Sequence, residues 1–172
     1  MGFSFFNTKD DTAPYAVALG ADNNLWFTGN KSNIIAKLTP EGKVSEYPIP
    51  TPDSGVTMLT AAASGVYFTE YQANKIGFIR YDGVIFEYEL TENAGPYGIA
   101  VGARQTVWFT CMSGNQIGRI VGSGVDYYDL PTPASFPAGL TFGYDGALWF
   151  SENQGNKLGR LANDGAIGKL LP

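Results

Sequence analysis

The chain has 172 residues and a mass of 18.5 kDa, is 44% apolar, holds 14% aromatic against 16% charged residues, and carries a net charge of −5. That balance excludes a disordered chain and a helical bundle, and with no cluster among its 11 Lys and Arg it also excludes a partner bound through nucleic-acid phosphates. Histidine is absent and Cys111 is the lone cysteine, which removes an internal disulfide, a Cys/His zinc site and imidazole acid-base chemistry.

In chain order, the first segment is 1–13, MGFSFFNTKDDTA. It has no basic start and its apolar patch is too short for a secretory signal, so a cytoplasmic protein is expected. No later apolar run approaches the roughly 18 residues of a membrane helix, so no membrane partner is expected. FSFF reads as a strand. It lies one period ahead of Lys43–Ser54, in the phase of a unit's fourth strand and linker.

From Pro14 onward the chain repeats. LWFTGNKSNIIAKL, VYFTEYQANKIGFI, VWFTCMSGNQIGRI and LWFSENQGNKLGRL start at Leu25, Val66, Val107 and Leu148, each 41 residues after the last. The units are 14–54, 55–95, 96–136 and 137–172. Each reads as four strands: an apolar one after the proline (AVAL, GIAV, AGLTF), the WFT strand, a third such as NKIGFI, and a fourth such as VSEYPI or VIFEYEL. Turn signals such as ADN, PEG and YDG separate strands, and PTPDS, TENAG and PTPAS separate units. No stretch carries the apolar stripe of a helix.

Four-stranded units of about 40 residues are the signature of an all-β fold, a β-propeller of four blades. Pro14, Pro96 and Pro137 hold one phase, with Gly55 as the exception. Trp26, Tyr67, Trp108 and Trp149, with the Phe that follows each, are expected in the core between blades. Asn33, Asn74, Asn115 and Asn156 are expected to satisfy turns, by bonding nearby backbone or adopting positive φ. Gly42, Gly83, Gly124 and Gly165 are expected to permit tight hairpins. At the far end Ala166–Leu171, AIGKLL, also has the fourth-strand phase, so the chain carries one such strand too many for a closed ring of four. Two arrangements follow: a small closed ring in which the weaker strand frays, or a partial ring whose end blades are covered by a second copy. The second gives a homodimer of half-rings with eight blades.

The segments FTEYQANKIG (Phe68–Gly77), YPIPTPDS (Tyr47–Ser54), GPYGI (Gly95–Ile99) and LWFSENQGNKLG (Leu148–Gly159) together resemble the streptogramin B lyase family, also called virginiamycin B lyase-like. The opening MGFSFFNTKDDTAPYAV resembles the start of such a lyase. The resemblance implies about the first four blades of a seven-bladed propeller. It also implies antibiotic resistance through a carbon–oxygen lyase, which linearises cyclic streptogramin B antibiotics by elimination with a histidine base, a glutamate and Mg²⁺.

Elimination needs a base at the acidic C–H and a metal or acid for the charge that develops on oxygen. At the family's histidine position, following the proline, stand Tyr15, Val56, Tyr97 and Ala138, so no unit has the base. At the WFTE glutamate stand Gly29, Glu70, Cys111 and Glu152. Glu70 and Glu152 are therefore the candidate Mg²⁺ ligands. Tyr15 and Tyr97 are the candidate substitute bases, each needing a pKa lowered by roughly 3 units. Tyr15, Tyr71 and Tyr97 are the candidate aromatics for a small cyclic or peptide-like ligand at the central mouth. Two functions stay open: a lyase-type enzyme, and a non-catalytic binding or scaffold propeller.

Overall fold

The computed structural model describes residues 2–162, and the strands expected between Pro14 and Leu161 are present. Blade 1 is the meander β1 (Pro14–Leu19), β2 (Leu25–Gly29), β3 (Ile34–Leu38) and β4 (Val44–Pro48). Blade 2 is β5 (Val56–Ala61), β6 (Gly65–Glu70), β7 (Lys75–Arg80) and β8 (Ile85–Glu89). Blade 3 is β9 (Pro96–Val101), β10 (Val107–Cys111), β11 (Gln116–Val121) and β12 (Gly124–Asp129). Blade 4 shows β13 (Pro137–Phe142), β14 (Leu148–Glu152) and β15 (Lys157–Leu161). The strand expected at Ala166–Leu171 and the turn at Gly165 lie outside the described residues. A 3₁₀ turn, Ala103–Gln105, is the one helical element among the described residues, and no helix is long and apolar enough to cross a membrane.

The WFT strand works because its side chains alternate between two faces. Trp26 of blade 1 packs with Phe68 and Val66 of blade 2, around Ile35, Ile49, Val56, Leu59 and Ile79. Tyr67 of blade 2 packs in the same way with Phe109 and Val107 of blade 3, and Trp108 of blade 3 with Phe150 and Leu148 of blade 4. Each blade thus has a front, carrying the Phe and turned to the preceding blade, and a back, carrying the Trp or Tyr and turned to the next. The expectation of an aromatic interblade core holds. The hydrophobic clusters join blades 1 to 2, 2 to 3 and 3 to 4, and none joins 4 to 1 among the described residues. The run is open, which corrects the small closed ring.

One polar device recurs at the linkers. Asn33, Asn74, Asn115 and Asn156 all have positive φ, between 52 and 60°. The Asn115 amide donates to Thr132 O at 3.0 Å while its Oδ1 accepts from Ser135 N and Oγ at 2.7 and 2.8 Å, so the linker to blade 4 is tied to blade 3. Asn33 ties Thr51 and Ser54, and Asn74 ties Thr91 and Gly95, in the same manner. Asn115→Ala leaves buried Ser135 without its acceptor and puts a Cβ residue with no side-chain compensation in the left-handed region. Urea denaturation is expected to show a loss of about 2–4 kcal/mol, of which Asn115→Gly recovers only the backbone part.

Three further expectations are corrected. Residues 2–13 form no strand, because the third strand with which FSFF would pair is not part of blade 1. Instead they lie on the front of blade 1: Phe6 covers Gly42 and Lys9 forms an ion pair with Glu46. Gly42 and Gly83 have φ of 89 and 94°, as their hairpins require, but in blade 3 the left-handed glycine is Gly122 at 60° and not Gly124. Val121 pairs with Gly124 there, so the turn is only two residues long. The third correction concerns the inner strand of blade 2 and bears on the site.

Candidate functional site at the linker end

Antiparallel pairing brings the start of each inner strand to the end of each WFT strand: Pro14 opposite Gly29, Val56 opposite Glu70, Pro96 opposite Cys111 and Pro137 opposite Glu152. Every candidate site residue therefore lies at one end of the blades, where the linkers enter. The inner strands β1, β5, β9 and β13 pack in sequence, so this end is also the mouth of the partial ring.

Their register is fixed by a hydroxyl relay. Thr28, Thr69 and Thr110 each accept an N–H from their own inner strand (Ala16, Met58, Gly98) at 2.8–3.1 Å. Each also donates at 2.8 Å to the next blade's inner carbonyl, at Thr57, Tyr97 and Ala138. The equivalents of Tyr97 and Ala138 in this relay make Thr57, not Val56, the residue in the position of Tyr15. Val56 takes the place of the proline. Blade 2 holds one extra residue in its linker and one fewer in its first hairpin, where Ala62 N reaches Gly65 O while Gly20 N reaches Asn24 O. The two changes cancel in the period.

Tyr15 and Tyr97 meet across small Thr57, their hydroxyls 2.6 Å apart. The hydrogen bond with Tyr15, which holds the Tyr97 proton, together with some burial, raises the Tyr97 pKa above its usual 10, the opposite of what a base requires. Tyr71 lies at the same end, but its hydroxyl pairs with Ser113 Oγ of blade 3 at 3.2 Å and not with the tyrosine pair. The mouth is therefore lined by a linked Tyr15–Tyr97 bridge with Tyr71 to one side.

The two glutamates do not converge. Glu70 and Glu152 lie in blades 2 and 4 with all of blade 3 between them. Both are buried. Neither Glu70 oxygen has a partner at hydrogen-bonding geometry, and Glu152 Oε2 also lacks one. Burial foremost, then the Glu87 carboxylate, push Glu70 up to about 8 against the opposing pull of Lys75, so it is largely the neutral acid at pH 7. Mg²⁺ needs several oxygens converging at about 2.1 Å, most of them charged or water. A protonated acid and a distant carboxylate do not meet that need, and among the described residues no three His, Cys, Asp or Glu side chains cluster to hold a metal. The residues present thus do not fit the expected Mg²⁺ pair. Cys111, in the same place in blade 3, is fully buried, and burial pushes its thiol up to about 12. It is inert.

Sequence reasoning missed two groups that shape this end: Thr57, hidden by the compensated shift, and Asn30, whose amide donates to Val56 O at 2.6 Å and ties the loop of blade 1 to the inner strand of blade 2. The Thr or Ser closing every WFT or WFS was the visible signal for the relay.

Comparison with known proteins agrees with this architecture. The model of the virginiamycin B lyase family matches residues 4–171. A virginiamycin B lyase from Staphylococcus aureus is 45% identical over 45 residues, which is 26% of this chain and 15% of that protein. The crystal structure of the selenomethionine-substituted S. aureus enzyme has a TM-score of 0.90 at 44% identity, covering 95% of this chain and 57% of that one. A catalytically inactive histidine-to-alanine variant of that lyase, crystallised with quinupristin, gives 0.90 at 42% identity with the same coverage. The chain spans little more than half the length of these solved relatives.

Proposed function

The chain belongs to the virginiamycin B lyase family, and from that premise we propose that it binds a small cyclic, peptide-like ligand at the linker end and performs no elimination by itself. The observation that carries the reading is the Tyr15–Tyr97 bridge at the mouth, combined with no histidine at any of the four base positions. A relative without its histidine is described as inactive yet crystallised with quinupristin, which supports a ligand site that outlasts the chemistry.

The chemistry separates in the same way. Tyr97 keeps its proton, because its hydroxyl is held by Tyr15, and Glu70 is sealed where no substrate C–H reaches it. What remains is recognition: ring faces of Tyr15, Tyr71 and Tyr97 for apolar and aromatic parts of a depsipeptide, and hydroxyls for its amides. Isothermal titration with quinupristin is expected to show binding that Mg²⁺ leaves unchanged, and Tyr15→Ala with Tyr97→Ala is expected to weaken it at least tenfold. No heat of binding, or full affinity in the double variant, overturns the proposal.

A further inference from the structure

Blade 2 carries threonine where blades 1 and 3 carry tyrosine, and that small side chain decides how the mouth is built. A third phenol at position 57 would stand between Tyr15 and Tyr97. Thr57 instead leaves room for the two rings to meet, with their hydroxyls 2.6 Å apart. The Thr57 hydroxyl itself is engaged elsewhere, its Oγ 2.8 Å from Thr69 Oγ.

Counting protons shows what this cluster has left over. Thr28 gives its proton to Thr57 O and Thr69 gives its own to Tyr97 O, both at 2.8 Å, because a carbonyl oxygen can only accept. Thr69 Oγ is then an acceptor towards Met58 N and Thr57, so the Thr57 proton is spent on Thr69. Every threonine hydroxyl proton in the cluster is thus placed. The two phenols hold two protons and share one hydrogen bond, so whichever oxygen donates, one phenolic O–H has no acceptor among the described residues. Tyr15 is the partner that keeps it, being the more exposed ring, while Tyr97 holds its own proton in the shared bond. An oxygen that accepts one hydrogen bond is polarised to donate the next more strongly.

We propose that the phenol pair held together over Thr57 is a hydrogen-bond donor site for a single carbonyl oxygen, ester or amide, of the ligand. The inference rests on the ligand-binding reading above and sharpens it from ring stacking to one oriented polar contact. Tyr15 makes that contact, and Tyr97 is the positioning residue that fixes the Tyr15 hydroxyl. A neutral acceptor fits the site better than a carboxylate, since no cation pairs with either phenol among the described residues: Lys31 is taken by Asp11, and Lys75 by Glu87 and Glu89.

Phenylalanine substitutions separate the hydroxyls from the rings. Tyr15→Phe and Tyr97→Phe each leave one phenolic O–H in the mouth, and each is expected to bind quinupristin within about threefold of the parent by isothermal titration. The double variant keeps both rings but has no O–H, and is expected to bind about tenfold more weakly, the loss of one hydrogen bond. The pairing itself is read without ligand, from tyrosine Cζ resonances in an alkaline titration with Tyr97 assigned from its Phe variant. Tyr97 is expected to titrate above its usual 10 and to fall back towards it in Tyr15→Phe. Full affinity in the double Phe variant overturns this inference and leaves binding by ring faces standing, and a Tyr97 titration unmoved by Tyr15→Phe overturns the pairing on which it depends. No heat of binding from the parent protein overturns the ligand-binding reading and this inference with it.

Discussion

Phe68→Ala is expected to lower the free energy of unfolding by about 3–5 kcal/mol, read from denaturant midpoints at constant slope. The ring is fully buried between blades 1 and 2, with Trp26, Val56, Leu59, Val66 and Ile79 around it. It also lies directly over Gly77, on the neighbouring strand: a Cβ there would stand 2.1 Å from the ring. Phe109 over Gly118 and Phe150 over Gly159 repeat the arrangement at 2.2 and 2.1 Å. Truncation therefore opens a cavity that the rigid sheet cannot collapse to fill. Gly77→Ala tests the same contact from the other side and is expected to cost about 1–3 kcal/mol through overpacking. Blade 1 shows the exception, since Ala36 stands opposite Phe27, whose front face meets no other blade among the described residues. A loss below 1.5 kcal/mol for Phe68→Ala would mean that the blade faces are not packed as described.

Glu70→Gln is expected to stabilise the protein at pH 8 and leave it nearly unchanged at pH 5. The folded acid titrates at about 8 and the unfolded one near 4.5, so the folded state holds a proton that the unfolded state has released throughout that window. Stability contributed by the neutral acid is fully present below about 4.5 and is lost as pH rises towards 8. At about 1.4 kcal/mol per pH unit the total is several kcal/mol. Glutamine has nearly the same shape and no proton to lose, so its unfolding curve should be flat over this range. Thermal melts at half-unit pH steps check this, and parallel curves for the two proteins would show that Glu70 is charged in the fold.

The repeat made most of the architecture legible. The aromatic–Phe–Thr/Ser strand, the asparagine at positive φ and the interblade role of Trp26 and Trp108 follow from residue types at fixed phase. Constant spacing failed where two changes cancelled: the extra residue in the linker to blade 2 and the missing one after Ala61 keep Leu25 and Val66 in phase yet move Thr57 into the place given to Val56. Gly124 lost its role to Gly122 for the same reason, since a hairpin shortened within one blade is invisible to the period. The glutamates were identified as carboxylates, but their state depends on what surrounds them. Glu70 is neutralised by burial and by Glu87, and no local pattern records either. FSFF showed its phase plainly, whereas whether it forms a strand depends on a ladder partner outside blade 1.

The proposed function is ligand binding at the mouth without elimination. Prolonged incubation with quinupristin and Mg²⁺, followed by chromatographic separation and fragmentation of the antibiotic, tests it most directly, because ring opening by elimination leaves the mass unchanged and only connectivity reports it. The intact cyclic compound is expected to be recovered in full. Linear product formed in proportion to protein, and abolished by Tyr97→Phe, would contradict it.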